Sequence, residues 1–273
     1  MTDHYAVIGN PVEHSQSPVI HAAFARQTGQ DIDYIRLLAP LDDFSATVRS
    51  FFDQGGKGLN VTVPFKEQAW SLSDQRSPRA ELAGAVNTLS LQKDGSLAGD
   101  NTDGVGLVRD IINNHGGRFH GKRLLVVGAG GAVRGILGPL LDEQPAQLII
   151  ANRTEAKAVE LADHFSDSQL VEASSLDALS GKQFDLIING TSASLRNEVP
   201  ALPDNIVATH GWCYDMMYAA DATLFVRWGL GQGATKSVDG LGMLVEQAAE
   251  SFYIWRGVRP DTAEIIRTLR TTC

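Results

Sequence analysis

The chain has 273 residues, 43% hydrophobic and 20% charged, with 23 basic against 32 acidic side chains and a formal net charge of −9. There is apolar material for one large or two ordinary domains, and the acidic balance excludes non-specific binding to nucleic acid or an anionic membrane, which needs clustered Lys and Arg. The two cysteines, Cys213 and Cys273, build neither a disulfide framework nor a zinc spacing, so a reducing, cytoplasmic location is expected.

The start, Met1 to Tyr5, carries no basic stretch followed by an apolar one, and no signal peptide is expected. No apolar run approaches the roughly 20 residues of a membrane span. Tyr5 to Ile8 reads as a short strand broken by Gly9-Asn10-Pro11, and Pro18 opens a helix through Thr28. Tyr34 to Leu38 is the next strand. Phe44, Val48, Phe51 and Phe52 recur at helical spacing before Gly55-Gly56, a glycine stop. Leu59 to Val63 is a strand, and Pro64 marks the opening of a helix with Lys66 in its first turn. A helical stretch near Ala80 leads to Val86–Gln92 and Leu97–Gly99, joined across Lys93-Asp94-Gly95. Asp-Gly between apolar runs predicts a hairpin. This part reads as an α/β domain with a mixed sheet.

The polar stretch Asn113 to Gly117 separates it from a second pattern. Leu124–Val127 is a continuous apolar run, as in a buried parallel strand. A helix to about Leu141, strand Leu148–Ala151, helix Glu155–Phe165 and strand Phe184–Ile188 follow. This βαβαβ order predicts a Rossmann-like doubly wound domain. Gly240 to Trp255 and Thr262 to Leu269 read as two final helices that pack back on the first domain, with Met243, Leu244, Ala248 and Phe252 as a core stripe.

Gly128, Ala129, Gly130, Gly131 and Ala132 follow the strand and open a helix. Glycines there allow a tight turn and close backbone approach to a pyrophosphate at the helix N-terminus. At the end of the second strand, where NAD-preferring sites place a carboxylate, stand Asn152, Arg153 and Thr154, with Lys157 a turn later. A carboxylate would repel a 2′-phosphate and a guanidinium binds it, so NADP is the expected cofactor. The seven histidines fall in no metal-ligand spacing, and no metal is expected.

Four polar clusters lie at strand or turn ends in the first part: Ser15-Gln16-Ser17, the Asn60/Thr62/Lys66 segment, Gly84 to Thr88, and Gly99 to Gly104. Hydroxyls, amides, one amine and one carboxylate suit a small polyol that carries a carboxylate. These segments, with Gly9-Asn10-Pro11, Gly128 to Ala132, Asn152 to Thr154 and Asp239 to Leu244, resemble the shikimate dehydrogenase family in order across nearly the whole chain. The resemblance implies NADP-dependent, reversible reduction of 3-dehydroshikimate to shikimate, in aromatic amino-acid biosynthesis. It implies that Lys66 and Asp103 form the catalytic pair. It implies that Ser15 and Ser17 take the substrate carboxylate, that Thr62, Asn87 and Asp103 hold ring hydroxyls, and that Tyr218 and Gln247 touch substrate. Met216 and Gly240 join the cofactor residues. The chain departs from the family pattern at Val133, where small residues are usual, and at Gly190 and Ala193 to Leu195. The expected substrate domain is 1–103 completed by 240–273, and the NADP domain is 104–239. A small-molecule substrate is the expected partner, with no nucleic acid or membrane, and a homodimer is left open. Two alternatives stand beside this reading: a relative with broader use of quinate or NAD, and a non-catalytic shikimate-binding sensor.

Overall fold

Ala6 and Ile8 point to one face of the first strand and Tyr5 and Val7 to the other, and all four are buried. A strand apolar on both faces must be covered twice, and that requirement organises the first of two sheets. A computed structural model describes residues 2–165, 170–191, 193 and 198–272, so of the departing segment Ala193 to Leu195, Ser194 and Leu195 lie outside the described residues, as does Cys273. The chain forms two units: residues up to Leu107 with Leu244–Thr268, and Val108–Met243 with the residues from Leu269 on.

The first unit begins β1 (Asp3–Gly9), α1 (Ser17–Thr28), β2 (Ile32–Leu38), α2 (Phe44–Asp53), β3 (Gly56–Val61) and α3 (Lys66–Leu72). It continues β4 (Gln75–Arg76), α4 (Pro78–Ala83), β5 (Thr88–Leu91) and β6 (Leu97–Asp100). The strand order is β2-β1-β3-β5-β6-β4. β1 runs parallel to β2 and β3, while β5 runs antiparallel to β3 and β6, so the sheet is mixed. The hairpin closes at Leu91 opposite Leu97 with Gly95 at φ 86°. Phe44, Val48 and Phe52 recur every fourth residue and bury that face of α2 against Ala6, Ile8, Leu59 and Val61. Each such side chain contributes roughly 2 kcal/mol on burial.

The opposite face holds Tyr5, Val7, Val12 and Tyr34, with Trp255 packed on it. Trp255 comes from α9 (Leu241–Arg256), introduced below, and its indole N–H donates to the Leu89 carbonyl at 3.1 Å. A Cβ on Gly58 would come within 2.5 Å of that indole nitrogen, so only glycine lets the ring lie on the strand.

α5 (Asp103–Arg109) continues into a π-helical turn, Asp110–Asn114. The second unit then runs β7 (Arg123–Val127), α6 (Gly131–Asp142), β8 (Gln147–Ala151), α7 (Glu155–Asp163), β9 (Val171–Ser174) and β10 (Phe184–Asn189). It ends β11 (Val207–Asp215), α8 (Leu224–Gly231) and β12 (Lys236–Val238), and α9 and α10 (Ala263–Thr272) close the chain. The order β12-β11-β10-β7-β8-β9 is parallel throughout. It is the doubly wound order in which β7 sits beside the switch point.

The structure corrects the sequence reading at two places and supplies one stretch that it did not assign. Pro64 does not open α3: the helix starts at Lys66, and Pro64 lies in the turn before it, after a cis peptide bond from Val63. The strand β11, helix α8 and strand β12 carry no clear sequence pattern. In β11, His210 adopts φ 65° and the register with β10 shifts between Phe184 and Leu186. The kink parts the apolar residues Val207 and Ala208 from Trp212 to Tyr214 and hides the period. Finally, α9 is buried on more than a stripe. Glu246 and Glu250 are buried beside Val245, Ala248 and Phe252, satisfied by Thr262 for one and by Arg79 and Arg259 for the other.

Candidate active site

Parallel β1 and β3 end side by side, so the loops that follow them are neighbours. The Thr62 N–H donates to the Ile8 carbonyl at 2.9 Å and the Asn10 N–H to the Val63 carbonyl at 3.0 Å. A Cβ on Gly9 would meet the Thr62 methyl at 2.4 Å, so the close approach of the two loops requires glycine there. The first loop carries Ser15 and leads to Ser17 at the start of α1, and the two hydroxyls lie 3.2 Å apart. The Arg36 guanidinium from edge strand β2 holds the Ser15 carbonyl with two N–H groups, at 2.6 and 3.0 Å. The second loop delivers Lys66 at the first position of α3.

Antiparallel β5 brings its beginning to the same sheet edge, since Asn60 pairs with Thr88. Asn87 therefore stands next to the end of β3, and its carbonyl accepts the Val61 N–H at 2.8 Å. β6 turns the chain back once more, and Thr88 pairs with Asp100. Asp103 follows at the start of α5. Elements remote in sequence thus converge, and Lys66 Nζ donates to Asp103 Oδ2 at 2.5 Å. The Lys66 side chain is 18% exposed and that of Asp103 is 8%, so the pair is nearly dry yet reachable. The other oxygen, Asp103 Oδ1, accepts from Asn87 Nδ2 at 2.7 Å, and the Asp103 N–H donates to Asn101. Gln247 joins from α9, with Oε1 at 3.4 Å from Asn87 Nδ2.

A carboxylate that already accepts two hydrogen bonds is aimed before any substrate arrives, and low exposure strengthens each contact. The constellation holds an amine and a carboxylate on one side and amides and hydroxyls around them. It can exchange a proton with an alcohol or carbonyl oxygen and orient a polyol ring.

Behind this edge lies a histidine with no part in it. His21 is fully buried, stacked on Tyr34 at 4.2 Å, and neither ring nitrogen has a hydrogen-bond partner among the described residues. Burial pushes its pKa down from 6.5 to about 3, with Asn60 nearby opposing weakly.

The expected cofactor residues gather in the second unit. β7 ends at Val127, Gly128 turns the chain at φ 114°, and α6 starts at Gly131 with Gly130 as its cap and no side chain capping it. A Cβ on Gly130 or Gly131 would meet open space. Uncapped N–H groups facing an open glycine turn form an anion cradle. At the end of β8, Asn152 Nδ2 donates to the Thr154 carbonyl at 2.9 Å. Arg153 and Lys157 are exposed, and no carboxylate occupies that strand end. The donor set fits a dinucleotide bearing an extra phosphate.

Met216 and Tyr218 lie in the loop after β11, half-buried, and Tyr218 thus belongs to the second unit rather than to the Lys66 cluster. Gly240 passes so close that a Cβ there would be 2.3 Å from the Met216 carbonyl. Two of the departures from the family pattern, Val133 and Gly190, meet: a Cβ on Gly190 would sit 2.3 Å from the Val133 side chain. A larger residue on α6 fits because its neighbour lacks a side chain.

The sequence reading did not assign Asn60, Thr88, Thr102 or Ser251, all buried around Asn87. Buried polar residues at strand ends were the available signal for three of them. Ser251 has a sequence cue as well, four residues after Gln247 and so on the same helix face. Among the described residues no group of His, Cys, Asp and Glu could hold a metal ion, and no helix is long and apolar enough to cross a membrane.

Comparison with known proteins covers the chain end to end. Residues 7–89 match the model of the shikimate dehydrogenase substrate-binding domain, residues 110–197 that of shikimate/quinate 5-dehydrogenase, and residues 240–270 that of the shikimate 5′-dehydrogenase C-terminal domain. The shikimate dehydrogenase (NADP(+)) of Alkalilimnicola ehrlichii is 60% identical over 270 residues, covering 99% of each chain. That of Hahella chejuensis is 60% identical over 268 residues, covering 98% of each. Among solved structures, the Ael1 enzyme of Pseudomonas putida superposes with a TM-score of 0.93 at 46% identity, over 98% of both chains. A Thermus thermophilus shikimate 5-dehydrogenase in complex with NADP(H) and shikimate superposes at 0.87 with 30% identity, over 100% of both.

Proposed function

The chain belongs to the shikimate dehydrogenase family, and from that premise we propose how its residues carry out the reaction. The enzyme reduces 3-dehydroshikimate to shikimate with NADP(H), reversibly, in aromatic biosynthesis. The cofactor, when bound, supplies or takes the hydride. Everything else falls to side chains. Lys66 gives a proton to the carbonyl oxygen as that oxygen gains charge, and takes it back from the hydroxyl in the reverse direction. Asp103 aims the ammonium through its Oδ2 and accepts from the substrate hydroxyl. Asn87, Thr62 and Gln247 hold the ring hydroxyls, with Tyr218 a further contact, and Ser15 and Ser17 take the carboxylate. The single observation that carries this reading is the Lys66–Asp103 contact at 2.5 Å between residues 37 positions apart.

Gly128 to Ala132 cradle the pyrophosphate, Asn152 to Lys157 the adenosine ribose and its phosphate, and Met216 and Gly240 line the nicotinamide end. The substrate domain is accordingly 1–103 with 240–273, and the NADP domain 104–239. The cysteine usage supports a cytoplasmic location. A homodimer is part of the reading, since Ile35, Leu38 and Leu41 on and beside edge strand β2 are exposed apolar side chains. Sedimentation giving the mass of a single chain would remove it.

The decisive assay follows reduced nicotinamide absorbance with shikimate and quinate, each with NADP and NAD. The expected result is the highest kcat/KM for shikimate with NADP. A higher value with NAD or with quinate would move the enzyme to the broader relative. Shikimate binding without any turnover would make it a sensor.

A further inference from the structure

We propose that Ser251 is a positioning residue for the reaction: its hydroxyl closes a ring of hydrogen bonds that fixes the Asn87 amide and, through it, the Asp103 carboxylate. This rests on the assignment of Lys66 and Asp103 to the proton transfer.

Ser251 lies on α9, fully buried, one turn after Gln247. Its Oγ is 2.8 Å from Thr88 Oγ1 and 3.2 Å from Thr102 Oγ1, and it accepts from Asn60 Nδ2 at 2.9 Å. The Gln247 carbonyl lies 3.1 Å away. A hydroxyl has one proton and two lone pairs, so the Ser251 proton goes either to the Gln247 carbonyl or to the closer Thr88 oxygen; with it on Thr88 the contacts close a circuit. Asn87 Nδ2 donates to Thr102 Oγ1 at 2.9 Å. In that arrangement Thr102 donates to Ser251 and Ser251 to Thr88; Asn87 Oδ1 at 3.2 Å and Gln247 Oε1 at 3.4 Å are the other acceptors within reach of Thr102. Thr88 Oγ1 donates to Asn87 Oδ1 at 2.9 Å. The ring leaves from the nitrogen of one amide and returns to its oxygen, so every bond points the same way and each polarises the next.

The direction matters for chemistry. The same Asn87 nitrogen donates to Asp103 Oδ1, and its oxygen accepts the Thr102 N–H at 2.9 Å. A flipped amide would set oxygen against carboxylate and NH₂ against N–H. These two direct contacts oppose that flip and the ring adds to them, and Asp103, held through Oδ1, keeps Oδ2 on Lys66. Without the Ser251 hydroxyl the two threonine hydroxyls keep only Asn87 Oδ1 as a shared partner, at 2.9 and 3.2 Å, and compete for it, so the Asn87 amide is held less firmly. No other residue of α9 reaches both threonines with a hydroxyl.

The test compares Ser251→Ala, Asp103→Asn and the double variant, each saturated with shikimate and NADP. Ser251→Ala is expected to lower kcat about five- to tenfold, with the KM for NADP changed less than about twofold. In the Asp103→Asn background the same substitution should cost less than about twofold, because no carboxylate remains to be aimed. Ser251→Cys, which preserves volume and bonds weakly, should fall between Ser251 and Ala if the alanine variant folds poorly. An unchanged kcat in Ser251→Ala and Ser251→Cys overturns the proposal. So does an equal loss in both backgrounds, or a loss that disappears well below the thermal midpoint, which would mark a purely structural serine. Full turnover by Asp103→Asn alone would overturn the site assignment itself, a result separable from failure at Ser251.

Discussion

The two halves of this enzyme handle charge in opposite ways. In the first unit the charged groups are already paired: Lys66 with Asp103, Asp103 with Asn87, both side chains mostly hidden from water. In the second unit the cations Arg153 and Lys157 stand exposed after β8, and the glycine turn after β7 is open. The difference follows from what each must do. A proton transfer needs donor and acceptor fixed to within a fraction of an ångström before the substrate arrives, so their ordering is built into the fold. A dinucleotide brings its own phosphates, and backbone N–H groups with exposed cations suffice to meet them. Substitutions should therefore cost turnover in one unit and cofactor affinity in the other.

The largest expected effect tests that division. Lys66→Ala should lower kcat by about 10²- to 10⁴-fold while the Kd for NADP, read by fluorescence titration, stays within about twofold. Turnover near that of the unaltered enzyme would remove Lys66 from the proton path, and a large loss of NADP affinity would mean the two functions are not separable.

The next concerns the buried interior of the first unit. His21 has a folded pKa of about 3 against 6.5 unfolded. Below pH 6.5 the unfolded chain binds a proton that the folded chain refuses, so stability is complete above pH 6.5 and falls as the pH drops toward 3. The slope is about 1.4 kcal/mol per pH unit, or about 3 kcal/mol by pH 4.5. Urea unfolding of the enzyme and of His21→Phe across this range should show the variant gaining on the parent as pH falls. Parallel curves would contradict the buried neutral imidazole.

Arg153→Asp should raise the KM for NADP by about 10- to 100-fold and leave that for NAD nearly unchanged, because only the 2′-phosphate meets the new carboxylate. Equal changes would show that Arg153 does not read the phosphate. The smallest effect sharpens the packing beneath the cofactor turn. Gly190→Ala should destabilise by about 1–3 kcal/mol by overpacking Val133, and Val133→Ala in the same chain should recover most of that loss. Additive losses in the double variant, measured by denaturant titration, would refute the direct contact.

Much of this was legible from residues alone, and the reason is local. The glycine turn after Leu124–Val127, the missing acid after β8 and the Asp94-Gly95 hairpin are each specified by a few adjacent residues whose φ, charge or hydrogen-bonding needs do not depend on the rest of the chain. The kinked strand β11 escaped because its period is broken where His210 takes a left-handed conformation. Pro64 misled because a proline can precede a helix as readily as open one. The sequence by itself determined the fold class, the family and the residue types at the site, since periodicity, turn chemistry and charge are properties of short segments. Only the tertiary structure decided that Lys66 meets Asp103, that Val133 and Gly190 are two sides of one contact, and that Ser251 closes a ring on Asn87. Those facts depend on antiparallel β5 and β6 returning to the end of β3 and on a helix more than 140 residues away in sequence packing against them, and no local pattern encodes such a meeting.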